Sequence, residues 1–149
     1  MGEKVRLRPY NNLADEQVVL DLWLRTWKFA YPRINFDKRL KWFRWYWKVK
    51  LVPNARITIA DEAGVIVGFF TIDATGYLDQ IVVALERWGR GVSEMLLAEA
   101  KRLSPSRLEL RVNADNIRAL SFYRKHGFAH IRNEINSEGA LINVMCWQP

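Results

Sequence analysis

The chain has 149 residues, 50% of them hydrophobic, and a formal charge of +7 from 23 Lys+Arg against 16 Asp+Glu. That length holds one domain, residues 1–149, with room for a full core, and so apolar a composition excludes a disordered chain. The cationic surplus favours an anionic partner (nucleic acid, acidic lipid or a phosphorylated ligand) without choosing among them.

The first residues, "MGEKVRLRPY", are charged and lack the apolar centre of a signal peptide. The chain starts Met-Gly, but Arg6 stands where an N-terminal acylation motif needs Ser or Thr. "VRLRP" alternates apolar and basic residues, as a half-exposed strand does. From Ala14 the period changes. Leu20, Trp23, Leu24, Trp27 and Tyr31 recur at helical steps. Pro32 ends that run, and Asp37 is the expected N-cap of a second helix reaching about Lys48. Pro53 and Asn54 close the region. Strands are expected over residues 55–61 and 65–73 with "DEAG" as a hairpin turn, then over 77–85.

Val92, Met95, Leu96, Ala100 and Leu103 mark one face of a helix stopped by Pro105. Residues 107–112 read as a strand. Residues 113–125 read as a turn and short helix closed by Gly127. Final strands are expected at 128–133 and 141–147. The order is strand, two helices, three strands, helix, strand, helix, two strands: a mixed α/β (α+β) domain, largely antiparallel in its first half. The helix after Gly91 joins strands that can be parallel neighbours.

No segment reaches the roughly eighteen apolar residues that span a bilayer. Cys146 is the only cysteine, so no intrachain disulfide forms and a reducing compartment fits. A cytoplasmic protein without a membrane partner is expected.

"ERWGRGVSEMLLAEA" places a Gly-x-Gly turn between a strand and a helix. Helix N-termini carry unpaired N–H groups and partial positive charge, and glycines let backbone approach an anion closely. A pyrophosphate can sit on the N–H groups of about Gly89 to Glu94, with Arg87 or Arg90 adding charge. The bland alternative is a tight turn with no ligand. Further on, in "NIRALSFYRKHGF", Asn116 and Tyr123 lie two helical turns apart on one face. Here the bland alternative is a helix cap followed by core aromatics.

Together "IVVALERWGRGVS" and "NIRALSFYRKHGF" resemble the GNAT superfamily, the general-control-related N-acetyltransferases. The resemblance is carried by residues 65 to 128 and by the element order. It implies a mostly antiparallel central sheet of six to seven strands flanked by about four helices. It implies that the backbone of Ile81, Val82 and Val83 pairs with the pantetheine arm of acetyl-CoA. It likewise implies that Trp88, Gly89, Arg90, Gly91, Val92, Ser93 and Glu94 cradle the pyrophosphate, that Asn116 contacts the pantetheine, and that Tyr123 protonates the leaving thiolate. Trp88 departs from the usual Arg/Gln and Ser93 from the usual Gly/Ala. Arg111 stands where some relatives carry a Glu base. The implied reaction is direct acetyl transfer from the CoA thioester to a primary amine, with acetyl-CoA as co-substrate and no metal.

With Arg111 unable to act as a base, Asp79 is the candidate carboxylate, as a water-assisted base or as a salt-bridged strand residue; Glu109 is a weaker one. A backbone N–H near Val83 is expected to stabilise charge on the thioester oxygen. Trp27, Tyr31 and Tyr77 are the candidate acceptor-binding residues. His126 and His130 are expected at the surface. Five of the seven tryptophans fall between Trp23 and Trp47. Trp42, Trp45 and Trp47 cannot all face the core, so an exposed ring there serves a substrate pocket or a homodimer contact. Two further readings remain: an acyl-CoA-binding sensor without turnover, and a basic nucleic-acid-binding domain. Scattered cations and the bulky apolar residues interleaved in "DKRLKWFRWYWKVK" disfavour the second.

Overall fold

The computed structural model describes residues 4–149. The N-terminal Met-Gly, where the sequence shows no acylation motif, lies outside the described residues.

Strand β1 (Val5–Pro9) pairs with β2 (Ala55–Glu62), β2 with β3 (Val65–Asp73), and β3 with β4 (Leu78–Val83), all antiparallel. Between β2 and β3, Ala63 and Gly64 both take positive φ, 53° and 85°. A two-residue loop of that hand matches the twist of the strands it joins. The second sheet holds β5 (Leu108–Asn113), β6 (Ala129–Ile135) and β7 (Leu141–Trp147) in the order β5-β7-β6, also antiparallel.

The strands and their order follow the sequence expectation, but the single central sheet is divided into two. The sheets meet at one parallel bridge, Tyr77 to Glu109, where the Glu109 N–H donates to the Gly76 carbonyl at 2.9 Å. Gly76 takes φ 86°, and a Cβ there would lie 2.5 Å from the Arg107 carbonyl oxygen. Only glycine permits so close a junction. Beyond it β4 and β5 have no ladder between them, so β4 keeps a free edge.

Helix α1 (Asn12–Ala30) is capped by Asn11, whose side chain accepts from the N–H groups of Leu13 and Ala14. Helix α2 (Phe36–Tyr46) is capped by Asn35, not by Asp37. The Asn35 side-chain oxygen accepts from the Lys38 N–H at 3.1 Å, while Asp37 turns outward to Lys28 at 3.0 Å. A π-helical turn (Trp47–Leu51) and a single turn, α3 (Val52–Asn54), complete the crossing to β2. Trp23 and Phe43 stack at 4.1 Å in the core, and Trp47 is fully buried with its indole N–H on the Tyr10 hydroxyl at 3.0 Å. Trp42 and Trp45 are the exposed rings of that trio.

Helix α4 (Val92–Leu103) buries Leu96, Leu97 and Ala100. It lies so close to β3 that a Cβ on Gly68 would fall 3.1 Å from Leu96 Cδ1 and 2.9 Å from the Val82 carbonyl. Helix α5 (Ile117–Lys125) buries Leu120 and Tyr123 and ends at Gly127, φ 93°. Among the described residues no helix is long and apolar enough to cross a membrane.

Candidate active site

The division of the sheets opens a cavity of about 270 Å³ along the free edge of β4. Ile81, Val82 and Val83 form one wall. Trp88, Gly89, Ser93 and Glu94 form the end at the start of α4, and Asn116, Arg118, Ala119, Phe122 and Tyr123 form the wall from α5. Thr26, Trp27 and Ala30 of α1 close it. The two sequence segments, some thirty residues apart, are thus brought to one cleft. Of the expected cradle, Arg90, Gly91 and Val92 do not line the cavity; Val92 is buried in the core.

The start of α4 is open and uncapped. Gly89 and Gly91 take φ 75° and 88°, open space lies where each Cβ would be, and no side chain caps the helix. The first-turn N–H groups are therefore free to bind. The arginine that lines the cavity is not one of those expected. Arg87 is held by Glu62, its Nε 3.1 Å from Oε2, and does not line the cavity. Arg118 does, with its guanidinium carbon 3.9 Å over the Trp88 ring and no carboxylate partner among the described residues. Arg118 sits two residues after Asn116 in "NIRAL", which is the signal that locates it. The Trp88 indole N–H donates to the Val83 carbonyl at 2.8 Å, and Phe29 meets the ring edge-on at 5.7 Å.

The Asn116 side-chain oxygen caps α5 by accepting from the Ala119 N–H at 3.2 Å; its amide nitrogen makes no bond to a described residue. Capping and cavity lining thus coexist. Tyr123 is only 8% exposed and its hydroxyl is unpaired among the described residues. Burial pushes that hydroxyl well above the ordinary phenol range, so it stays protonated.

A second, larger cavity of about 870 Å³ shares Trp27 with the first as a lining residue. Rings of Trp23, Tyr31, Phe36, Trp42 and Phe43 line it, with Gln80, Asn113 and Asn136 as polar groups. Its charged residues are Arg39, Asp115 and Glu138. Arg39 pairs with Glu138 at 3.4 Å, and the Tyr31 hydroxyl donates to Asp115 at 2.8 Å. Burial and the neighbouring carboxylate raise the Tyr31 pKa. Asp115 was not expected, although it directly precedes Asn116.

Tyr77 and Asp79 are displaced from the site expected for them and line neither cavity. Tyr77 is spent at the sheet junction, with the Arg111 guanidinium 5.1 Å over its ring. Asp79 has both oxygens engaged, one by the Tyr46 hydroxyl and the other by the Gln80 amide at 2.9 Å. Glu109 is tied into an ion network with Arg107, Arg111 and Arg132. His130 is exposed, as expected, but His126 is half-buried against Phe122, its Nε2 without a partner among the described residues.

The fold and the cleft define an acyl-CoA-type transferase site, and comparison with known proteins agrees. Residues 35–148 match the family model described as an acetyltransferase (GNAT) domain. The chain belongs to the GNAT acetyltransferase family, and its activity is acetyl-CoA-dependent N-acetyl transfer. It is 28% identical over 117 residues to the peptidyl-lysine N-acetyltransferase YiaC of Escherichia coli (strain K12), covering 74% of each chain. Its fold is similar to that of apo YjaB from Escherichia coli, with TM-score 0.80 and 18% identity over 97% of both chains. It is also similar to yncA from Salmonella typhimurium, solved with acetyl-CoA, with TM-score 0.66 and 14% identity over 97% of this chain and 94% of that one.

Proposed function

We propose that the first cavity receives acetyl-CoA, that the second receives a primary amine, and that the acetyl group passes directly between them beside Trp27. The carrying observation is that Trp27 walls both cavities, so a thioester in one and an amine in the other meet at a shared partition. The cleft fits the co-substrate: a strand edge without a partner, uncapped N–H groups at α4 and an unpaired Arg118 match an amide-bearing arm followed by a pyrophosphate.

Acetyl-CoA supplies an activated acyl carbon. The chain's part is to orient it and to manage protons. The backbone of β4 holds the arm, and the N–H groups at α4 with Arg118 take the phosphate charge. The bound ammonium first loses one proton to water; as the new C–N bond forms and the C–S bond breaks, Tyr123 gives its proton to the departing sulfur, and the second proton leaving the nitrogen restores the Tyr123 hydroxyl through solvent. Tyr31 and Asp115 receive the amine: the carboxylate attracts its cationic form, and the aromatic walls favour a cation. Asp79 then serves as a positioning residue, since it fixes Gln80, which lines the acceptor cavity.

The acceptor is read as a lysine-type amine. Two carboxylates against one paired arginine give the groove the opposite sign to the protein as a whole, and the relative named for peptidyl-lysine acetylation supports the same class. Acetyl-CoA and a lone cysteine fit a cytoplasmic setting.

Release of free CoA thiol, followed over lysine peptides, polyamines and acidic amino acids, tests the reading. Turnover with lysine-bearing acceptors is expected. Tight acetyl-CoA binding without thiol release from any amine would instead make this a sensor.

A further inference from the structure

The outward face of α2 and the π-helical turn has no role in either cavity except at one edge. Trp42, Trp45 and Val49, at steps of three and four, are 55%, 49% and 48% exposed. Lys38, Lys41, Arg44 and Lys50 surround them, and none is paired with a carboxylate among the described residues. Residues 37–50 hold six Lys/Arg and one acid, Asp37, which Lys28 already engages at 3.0 Å. Most of the chain's charge surplus is therefore concentrated around two exposed indoles.

We propose that this face docks the protein onto an anionic phospholipid surface. Indoles favour the headgroup boundary and lysines the anionic headgroups, so the mixture of the two on one helix face matches such a surface. The charge rules against a second copy, because two such faces would set like charges against each other. The ring geometry disfavours single-stranded nucleic acid. Trp42 already stacks on Tyr46 at 4.9 Å, Lys50 covers Trp45 at 5.8 Å, and a convex helix offers no groove to track a strand. No membrane-spanning segment is needed; the contact is peripheral. Trp42 also lines the second cavity, so docking turns the mouth of that cavity toward the bilayer. The docking itself does not depend on the acceptor reading.

The test is flotation of the full chain with vesicles of phosphatidylcholine alone or mixed with phosphatidylglycerol, at low and high salt. Binding is expected only with the anionic vesicles, and is expected to fall as salt rises. Each lysine near such a surface contributes roughly fivefold to partitioning. K38Q/K41Q should therefore weaken binding by at least about tenfold, and W45S/V49S should weaken it without changing the salt dependence. Unchanged acetyl-CoA affinity in both variants shows that they fold. R124E/K125E, on the exposed side of α5, should bind vesicles like the parent. The proposal is overturned by absence of binding at low salt, by binding that survives K38Q/K41Q, or by an equal loss in R124E/K125E. Tighter binding of single-stranded RNA than of anionic vesicles, lost in the same α2 variants, also overturns it.

Discussion

The guanidinium of Arg118 lies over the Trp88 ring, its carbon 3.9 Å from the centroid, with the Trp88 N–H anchored on the Val83 carbonyl. An aromatic residue thus replaces the cation usual at its own position and holds another cation, from a different helix, against the same cleft. Arg118→Ala is expected to weaken acetyl-CoA binding about tenfold, the size of one lost charge-assisted contact. Calorimetry with acetyl-CoA and with phosphate-free acetyl-pantetheine checks it. The second ligand should be unaffected; equal weakening of both would make Arg118 a packing residue only.

Tyr123→Phe removes the protonated hydroxyl of a cavity-lining residue, one without a partner among the described residues. We expect kcat to fall about a hundredfold, within the usual range for a lost general acid, with acetyl-CoA affinity unchanged. Because burial raises the Tyr123 pKa above the ordinary phenol value of about 10, the acid form persists on the alkaline side. A pH–rate profile should therefore show no loss from this group below about pH 10. A fall near neutral pH that disappears in Tyr123→Phe would contradict the assignment.

Asp115→Asn should raise KM for a lysine peptide about tenfold, as one charged contact is lost, with a smaller change in kcat. Tyr31→Phe, which keeps the ring and removes only the donor to Asp115, should be milder. Steady-state kinetics with a lysine peptide and an uncharged amine separate the effects, since only the cationic acceptor should respond.

At the other end of α1, Arg8 grips the buried Asp15 through two bonds of 2.8 and 3.0 Å and reaches Asp61 at 3.0 Å. The arginine holds both carboxylates below the ordinary range. Breaking a buried pair costs about 3–5 kcal/mol. Arg8 is a third exposed, so solvent screening reduces the expected loss for Arg8→Met to about 2 kcal/mol. A carboxylate pKa lowered by folding adds stability above its unfolded value, near 4, that is lost as pH falls through the folded value. Urea melts of parent and variant should accordingly differ at pH 7 and converge in acid; a pH-independent gap would refute the pairing.

Gly76→Ala is expected to destabilise the chain by about 2 kcal/mol or more, because positive φ and a 2.5 Å approach to the Arg107 carbonyl both forbid a Cβ. As Gly76 sets the junction from which β4 and β5 diverge, acetyl-CoA affinity should fall as well. Thermal melts and calorimetry measure the two losses.

Local chemistry made much of this molecule legible in one dimension. Apolar period, caps and breakers determined the order of strands and helices, and the glycine turn with the Asn116–Tyr123 pair determined the kind of cleft, because such features depend on neighbours within a turn or two. The tertiary structure alone decided which side chains were free to act. It assigned Arg87 to Glu62 and left Arg118 over Trp88. It tied up Asp79 with Tyr46 and spent Tyr77 at the sheet junction. It placed Trp27 in the walls of two cavities and Asp115 in the wall of the second. Each of these is a pairing between residues distant in sequence or a consequence of one, and side-chain spacing along the chain carries no record of where two such partners meet.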